Sequence, residues 1–277
     1  MSLTSKALFV IERNLGSDLT LDSVAAACGV SRFHLAHAFA SATGRTVMDY
    51  TRARRLTEAA RSLSSGSPNI LDVAIAASYA SHEAFSRAFR ARFNLTPEEL
   101  RKRGTLDGIN LEEIFIMKTK QRVSLAAPEF KSVGEQYFVG LAAPRRMGDG
   151  GKIPAQWRDF MSGPYHKIAN KLDCPPIGVT LPGENEEEFL YVCAVQVSHF
   201  GATPKALAEI TVAPAQYAVF AHNGHVSDLP QTYMAIWNDW FPSSGKTPKK
   251  AASLEHHNAS FDPRTGAGGV TVFIPLA

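Results

Sequence analysis

Two stretches, fifty residues apart, carry side chains able to read base edges. The first is Ser31-Arg32-Phe33-His34-Leu35-Ala36-His37-Ala38-Phe39, leading to Thr46; the second is Ser81-His82-Glu83-Ala84-Phe85-Ser86-Arg87-Ala88-Phe89, leading to Thr96. Arginine bridges guanine O6 and N7, glutamate accepts from cytosine N4, and phenylalanine packs on a thymine methyl. If each stretch is a helix, its first two turns face a major groove. Those turns hold Arg32, Phe33, Ala36 and His37 in one copy, and His82, Glu83, Ser86 and Arg87 in the other. Arg52 and Arg90, with Arg54, Arg55, Arg61 and Arg92, suit phosphates, which position a protein without specifying sequence. A second chemistry lies near the C-terminus. Glu255 sits in Leu254-Glu255-His256-His257-Asn258, and the aromatics Trp157, Tyr191, Tyr233 and Trp237 precede it. Carboxylates and aromatic faces both attract cations.

Other chemistries are poorly served. No GxSxG, Walker A or GxGxxG occurs. His222-x-x-His225 and His256-His257 lack a third ligand at matching spacing, and His222-Asn223-Gly224-His225 reads as a turn. Cys28, Cys174 and Cys193 are scattered, without a CxxC. The expectation is therefore no catalytic residue, no metal and no cofactor. No apolar run approaches the ~18 residues of a membrane span, and Lys6, Glu12 and Arg13 interrupt any signal-peptide core. A cytoplasmic protein is expected, with no membrane partner.

The elements that must position these residues can be read in order. Leu3, Ala7, Val10, Ile11 and Leu15 form one helical stripe. Thr20 caps a second helix that Gly29 closes, and Ser31 opens the first reading helix, which ends at Gly44. Thr46 with Asp49 starts a long connector, and Ser64-Ser65-Gly66-Ser67-Pro68 breaks it. Ile70–Ala77 forms the next helix, Ser81 opens the second reading helix, and Thr96-Pro97-Glu98-Glu99 starts a last one. Leu35 and Phe39, like Phe85 and Phe89, lie four apart and face a core. Two in-register copies, each behind a short helix and a turn, read as paired helix-turn-helix units.

A polar stretch, Gly104–Gly108, ends this half, and residues 109–120 are apolar enough to pack as a short helix or strand. From Gln121 and Arg122 the period changes. Tyr137–Leu141, Phe189–Val197, Tyr217–Phe220 and Val270–Ile274 read as strands, and Pro154–Lys171 and Pro230–Phe241 as helices. An offset of eighty relates Gln136-Tyr137-Phe138-Val139 to Gln216-Tyr217-Ala218-Val219, and Trp157-Arg158-Asp159-Phe160 to Trp237-Asn238-Asp239-Trp240. Each half then reads strand, helix, strand, strand, with Ile177–Thr180 and Ser253–His257 as the third elements. A groove between such halves is the natural ligand site. Charge divides as the periods do. Residues 1–120 hold 16 Lys/Arg against 12 Asp/Glu, and residues 121–277 hold 13 against 14. A basic surplus at one end and near-neutrality at the other point to different partners.

The N-terminal half resembles the AraC/XylS family of transcription regulators. The matching motifs are Asp72-Val73-Ala74-Ile75-Ala76, Ser81-x-x-x-Phe85-x-Arg87-x-Phe89-Arg90 and Phe93-x-x-Thr96-Pro97. The family's usual Gly-Phe before the second reading helix is Ser78-Tyr79 here. The C-terminal half resembles the GyrI-like small-molecule-binding family through Ile153-Pro154-x-x-Trp157-x-x-Phe160, Pro214–Gly224, Trp240-Phe241-Pro242-x-Ser244-Gly245, Leu254-Glu255 and Ile274-Pro275. In that family the glutamate matching Glu255 sits in an aromatic groove and meets cationic, lipophilic ligands. Two departures are His257, where an aromatic is usual, and Ile177, where a tyrosine is.

Together these imply two domains. An all-α double helix-turn-helix domain over 1–105 is followed by a linker over 106–121. An α+β domain of two pseudo-symmetric strand-helix-strand-strand halves then occupies 122–277. The implied function is a ligand-responsive transcription regulator, an activator of the multidrug type. Its expected partners are double-stranded DNA, a small lipophilic effector of neutral or cationic type, and RNA polymerase. The rival readings are a small-molecule hydrolase using Glu255 to orient water, and a sequestering protein, each fused to a DNA-binding domain.

Overall fold

The computed structural model describes residues 2–66, 69–117 and 124–277. The Ser67-Pro68 break and the change of period at Gln121 and Arg122 lie outside the described residues. Up to Arg103 the chain is helical: α1 (Leu3–Arg13), α2 (Leu21–Cys28), α3 (Arg32–Thr43), α4 (Val47–Ser64), α5 (Ile70–Ala76), α6 (His82–Phe93) and α7 (Pro97–Arg103). Beyond it come β1 (Glu129–Val133), β2 (Gln136–Arg146), α8 (Ile153–Ser162), β3 (Ile177–Pro182), β4 (Glu188–Val197), β5 (Ala208–Val212) and β6 (Ala215–His222). The chain ends with α9 (Leu229–Ala235), α10 (Phe241–Ser244), β7 (Ser253–His257) and β8 (Val270–Leu276). Packing divides it into two units. One comprises Leu3–Ser31 with residues 45–117; the other comprises Arg32–Gly44, the segment containing α3, with residues 124–277. Among the described residues no helix is long and apolar enough to cross a membrane.

In the first unit the caps set the helix starts. Thr20 and Ser23 form a reciprocal capping box on α2, Thr46 accepts from the Asp49 amide at 3.1 Å, and Thr96 and Glu99 repeat the box on α7. Gly29 takes the left-handed conformation (φ 74°) that closes α2. Ser78 adopts it too (φ 62°), at the position where the AraC/XylS pattern has glycine. Phe85, Phe89 and Phe93 of α6 contact in series, the first pair tilted and the second edge-on, and share a core with Leu56, Leu63, Val73 and Leu100.

Of the stretch 109–120, expected as a short helix or strand, the described residues 109–117 form neither, and with 106–108 they run as a strap. Leu106, Ile109 and Leu111 pack on the α4–α7 core instead of building an element of their own. The Glu112 amide donates to Thr57 Oγ1 at 2.9 Å, its carbonyl accepts from Arg54 at 2.8 Å, and the Phe115 amide donates to the Tyr50 hydroxyl at 3.2 Å.

The second unit holds one antiparallel sheet in the order β1-β6-β8-β7-β3-β4-β2-β5. Its halves, β2-α8-β3-β4 and β6-α9-β7-β8, have the element order that the repeat implied, and they meet at the β3·β7 pair. Each half also has a leading strand absent from the sequence reading, and the two are exchanged. β1 precedes β2 but pairs with β6; β5 precedes β6 but pairs with β2. Two helical expectations need correction. Pro154–Lys171 is not one helix, because α8 stops at Gly163-Pro164 and a 3-10 turn follows. Pro230–Phe241 contains a π-helical turn over Ile236–Trp240 between α9 and α10.

Candidate functional site

Glu255 lies where the two halves meet. It is on β7 directly across from Gly178 of β3, while Cys193 of β4 faces Gly178 from the other side. With no side chain at Gly178, Tyr191 of β4 reaches over β3 to Glu255. Tyr191 Oη donates to Glu255 Oε2 at 2.7 Å. From α9, Tyr233 Oη donates to Oε1, also at 2.7 Å. Trp157 of α8 donates from Nε1 to Tyr191 Oη at 3.2 Å, and its ring meets His257 edge-on at 5.0 Å. A carboxylate at the pseudo-twofold position is thus held by two phenols and ringed by aromatics.

Its supports come from both helices. Buried Gln156 donates to the carbonyls of Leu141 and Tyr191 at 2.8 and 2.9 Å and accepts from Arg145 at 2.6 Å, fixing α8 over β2 and β4. On the other half, His222 of β6 bonds Thr232 through Nδ1 at 2.8 Å and donates from Nε2 to the His225 carbonyl at 2.9 Å. That pins α9 one residue before Tyr233. His257, standing where the GyrI-like pattern has an aromatic, stacks on Phe261 at 4.2 Å. Burial, and then the Glu255 charge, push the Tyr191 and Tyr233 hydroxyls well above the usual phenol range, so both remain donors. Cys193 is raised chiefly by burial and stays a thiol. Among the described residues Glu255 has no ion-pair partner.

Trp157, Tyr191, Tyr233 and Glu255 are therefore brought together, and Trp237 is not. Trp237 lies on the π-helical turn, stacked on Phe241 at 5.0 Å and packed against α3. The misplacement follows from helical spacing, which puts residues four apart on one face; the π turn sends the later ring elsewhere. Gly178 was missed because a residue that acts by occupying no space leaves no chemical signature.

The first reading helix, α3, is packed in the second unit. Trp237 lies 4.5 Å from the His37 ring and 5.9 Å from the Phe33 ring. Arg32 reaches Glu186 at 3.6 Å. Ala36 is only 6% exposed, which corrects its expected place at a base edge. Burial lowers His37 to about 4, with His34 and Lys250 adding like-charge repulsion, so it is neutral at pH 7.

The second reading helix, α6, begins with Ser81 accepting from the Ala84 amide at 3.2 Å. Glu83, Arg87 and Arg90 are exposed; His82 lies 3.8 Å from Glu98. Ser86 departs from expectation, because its hydroxyl is enclosed, without a hydrogen-bond partner among the described residues. Arg52 is exposed and pairs with Asp49 at 3.3 Å. Arg54 is no phosphate ligand. It is buried, with Glu12 at 2.9 Å and Glu58 at 2.8 Å. Arg55 donates to the carbonyls of Leu15 and Ser17, Arg61 pairs with Glu58 and Glu113, and Arg92 lies 3.4 Å from Glu112.

Comparison with known proteins agrees with both halves. Residues 126–277 match the GyrI-like small molecule binding domain, and residues 24–103 match a helix-turn-helix domain. Transcriptional regulator Rob of Salmonella typhimurium is 25% identical over 272 residues, covering 94% of this chain and 91% of Rob. Right origin-binding protein of Escherichia coli matches with the same identity and coverage. Regulatory protein SoxS of Escherichia coli is 38% identical over 93 residues, covering 34% of this chain and 87% of SoxS.

Proposed function

This chain belongs to the AraC/XylS family of DNA-binding transcription regulators, with a GyrI-like small-molecule-binding domain, and we propose that a lipophilic cation held at Glu255 is its effector. One observation carries the proposal. Glu255 is a part-buried carboxylate whose two oxygens are held by neutral phenols, with no cation beside it among the described residues. Two neutral donors orient a negative charge without cancelling it. A cation lying against Trp157 would complete the site.

The division of labour follows the sequence: 1–105 binds DNA, 106–121 links and 122–277 binds effector. Glu83, Arg87 and their neighbours on α6 read bases, while Arg52 and Arg90 meet phosphates. Phe33, His37 and Arg32 read bases in a state in which α3 is free to enter a groove. The two reading helices differ in sequence, so a monomer's DNA site is asymmetric and about two helical turns long. Acting as an activator in the cytoplasm, the protein would present a surface to RNA polymerase at the promoter.

The deciding experiment is calorimetry of wild type and Glu255→Gln with tetraphenylphosphonium and with a neutral aromatic of the same size. Loss of the carboxylate strands a desolvated cation, so binding of the cation should weaken by about 2–4 kcal/mol. The neutral compound should lose little. Equal losses for both, or none, would refute a charge-based site. For DNA, Arg87→Ala should cost about 1–3 kcal/mol at one or two base pairs. Arg52→Ala should weaken all sequences alike and flatten the salt dependence. Selection from randomised sites separates the two.

A further inference from the structure

The second unit holds α3 by the side chains that would otherwise read DNA. Trp237 packs on His37 and Phe33, one helical turn apart on α3. His34 Nε2 donates to the Trp237 carbonyl at 2.9 Å. Asn238 Nδ2 donates to the Ala38 carbonyl at 2.9 Å, and both Trp237 and Asn238 are 3% exposed. At its start α3 is further held by Arg32 facing Glu186 at 3.6 Å. A helix cannot lay this face on Trp237 and on base edges at once.

The seat is also joined to the effector niche. Tyr233, which donates to Glu255 Oε1, lies four residues before Trp237, at the entry to the π-helical turn. π-helical turns are rare and occur frequently at functional sites. A cation that competes for Glu255 changes the hydrogen bond anchoring Tyr233, and with it the start of the turn that carries Trp237 and Asn238.

We propose that Trp237 and Asn238 form a seat that withholds α3 from DNA, and that occupation of the Glu255 niche unseats α3 through Tyr233. This rests on the reading of α3 as a DNA-reading helix and of Glu255 as the effector carboxylate. Affinity for DNA is then the intrinsic affinity scaled by the fraction of molecules with α3 released. Weakening the seat raises affinity, a gain that misfolding cannot imitate.

The test uses the full chain and a DNA site obtained by selection, with affinity read by fluorescence anisotropy at fixed salt. Without ligand, Asn238→Ala should bind DNA about fivefold more tightly than wild type, the weight of one buried hydrogen bond. Trp237→Phe, which keeps a ring but shrinks the contact, should move affinity the same way. Amides of 32–44 should exchange hydrogen faster in both. Unchanged or weaker DNA binding by both variants overturns the seat. Adding Phe33→Ala and His37→Ala to Asn238→Ala should abolish the gain; if the gain survives, α3 is not what was released and the proposal fails. Saturating tetraphenylphosphonium should tighten DNA binding by wild type but add little to Asn238→Ala. Calorimetric binding without any change in DNA affinity overturns the coupling to the niche. Absence of calorimetric binding instead counts against the effector reading, and the ligand-free comparison still decides the seat.

Discussion

Gly178→Ala should disable the effector niche through a single methyl group. A Cβ at Gly178 would stand 2.5 Å from Tyr191 Oη and 2.8 Å from Glu255 Oε2. The backbone itself would not object, since Gly178 is not among the residues with positive φ. Tyr191 cannot retreat easily, because it is 2% exposed and packed with Val139, Phe160 and Cys193. The overpacking costs about 1–3 kcal/mol, and losing a hydrogen bond to a charged group costs about 1.5–3 more. Part of the strain is relieved as the Glu255 side chain swings away, so a total of about 3 kcal/mol is expected. All three tryptophans, Trp157, Trp237 and Trp240, lie beyond residue 123, so their fluorescence in urea follows this unit alone. At an m-value of roughly 2 kcal/mol/M, the midpoint should fall by about 1.5 M. Tyr191→Phe alone should cost about 2 kcal/mol. In that background Gly178→Ala should cost at least about 1 kcal/mol less than in wild type, because its main obstacle is gone. Strictly additive costs would refute the idea that Gly178 is kept empty for the Tyr191 hydroxyl.

Three further outcomes follow from other parts of the fold. Ser78→Gly should stabilise the first unit by about 0.5–1 kcal/mol, because Ser78 holds a left-handed conformation that glycine adopts without steric cost; helical circular dichroism in urea reads it, and a destabilised variant contradicts it. Arg54→Met should destabilise the same unit by about 3–5 kcal/mol, since Arg54 is buried between Glu12 and Glu58 and its loss leaves the Glu12 carboxylate without its guanidinium, while Glu58 keeps Arg61; a loss below 1 kcal/mol would return Arg54 to the surface role its sequence implied. Burial lowers both His37 and His256 to about 4 from an ordinary value near 6.5. The unfolded chain therefore takes up protons first as pH falls, so stability present above pH 6.5 is lost down to about 4, by roughly 3 kcal/mol for each histidine. Tryptophan-monitored urea midpoints at pH 7, 5.5 and 4.5 should fall steadily, and less steeply in His256→Gln; a flat profile argues against both part-buried neutral imidazoles.

Much of the first unit was legible because its boundaries are chemical. Thr20, Thr46, Ser81 and Thr96 each accept the amide that their sequence context promised, and Gly29 closes α2 as glycine should. What escaped was what depends on tertiary partners. The connector arginines read as a basic face, yet Arg54, Arg55 and Arg61 bond to groups 38 to 58 residues away in the chain. The strap was apolar enough to suggest an element, but its backbone groups find Thr57 and Tyr50 side chains, so no ladder or helix is required. β1 and β5 escaped for a related reason. Both are five-residue edge strands; β1, with Glu129 and Lys131, is largely exposed, while β5 turns only Glu209 and Thr211 outward. Charged residues on an edge guard against further pairing, and in β1 they weaken the alternation by which strands are recognised; β5 does alternate, but over five residues only.

The effector niche divides along the same line. Its chemical groups carry a signature in the sequence: a carboxylate within a short strand, tyrosines and a tryptophan in matched halves. Its geometry does not, because geometry depends on where the helix leaves ideal spacing. An unbroken α-helix would carry Tyr233, Trp237 and Trp240 down one face toward one partner. The π-helical turn over Ile236–Trp240 divides them. Tyr233 meets Glu255, Trp237 packs on α3 and Phe241, and Trp240 meets Phe220 edge-on at 4.9 Å. A regular helix would have directed Trp237 to the effector site as a fourth aromatic beside Trp157, Tyr191 and Tyr233. The extra residue in the turn instead separates the side chain that senses Glu255 from the ring that grips α3, while keeping both on one continuous backbone. That arrangement is what lets one short helix serve the niche at one end and the reading helix at the other.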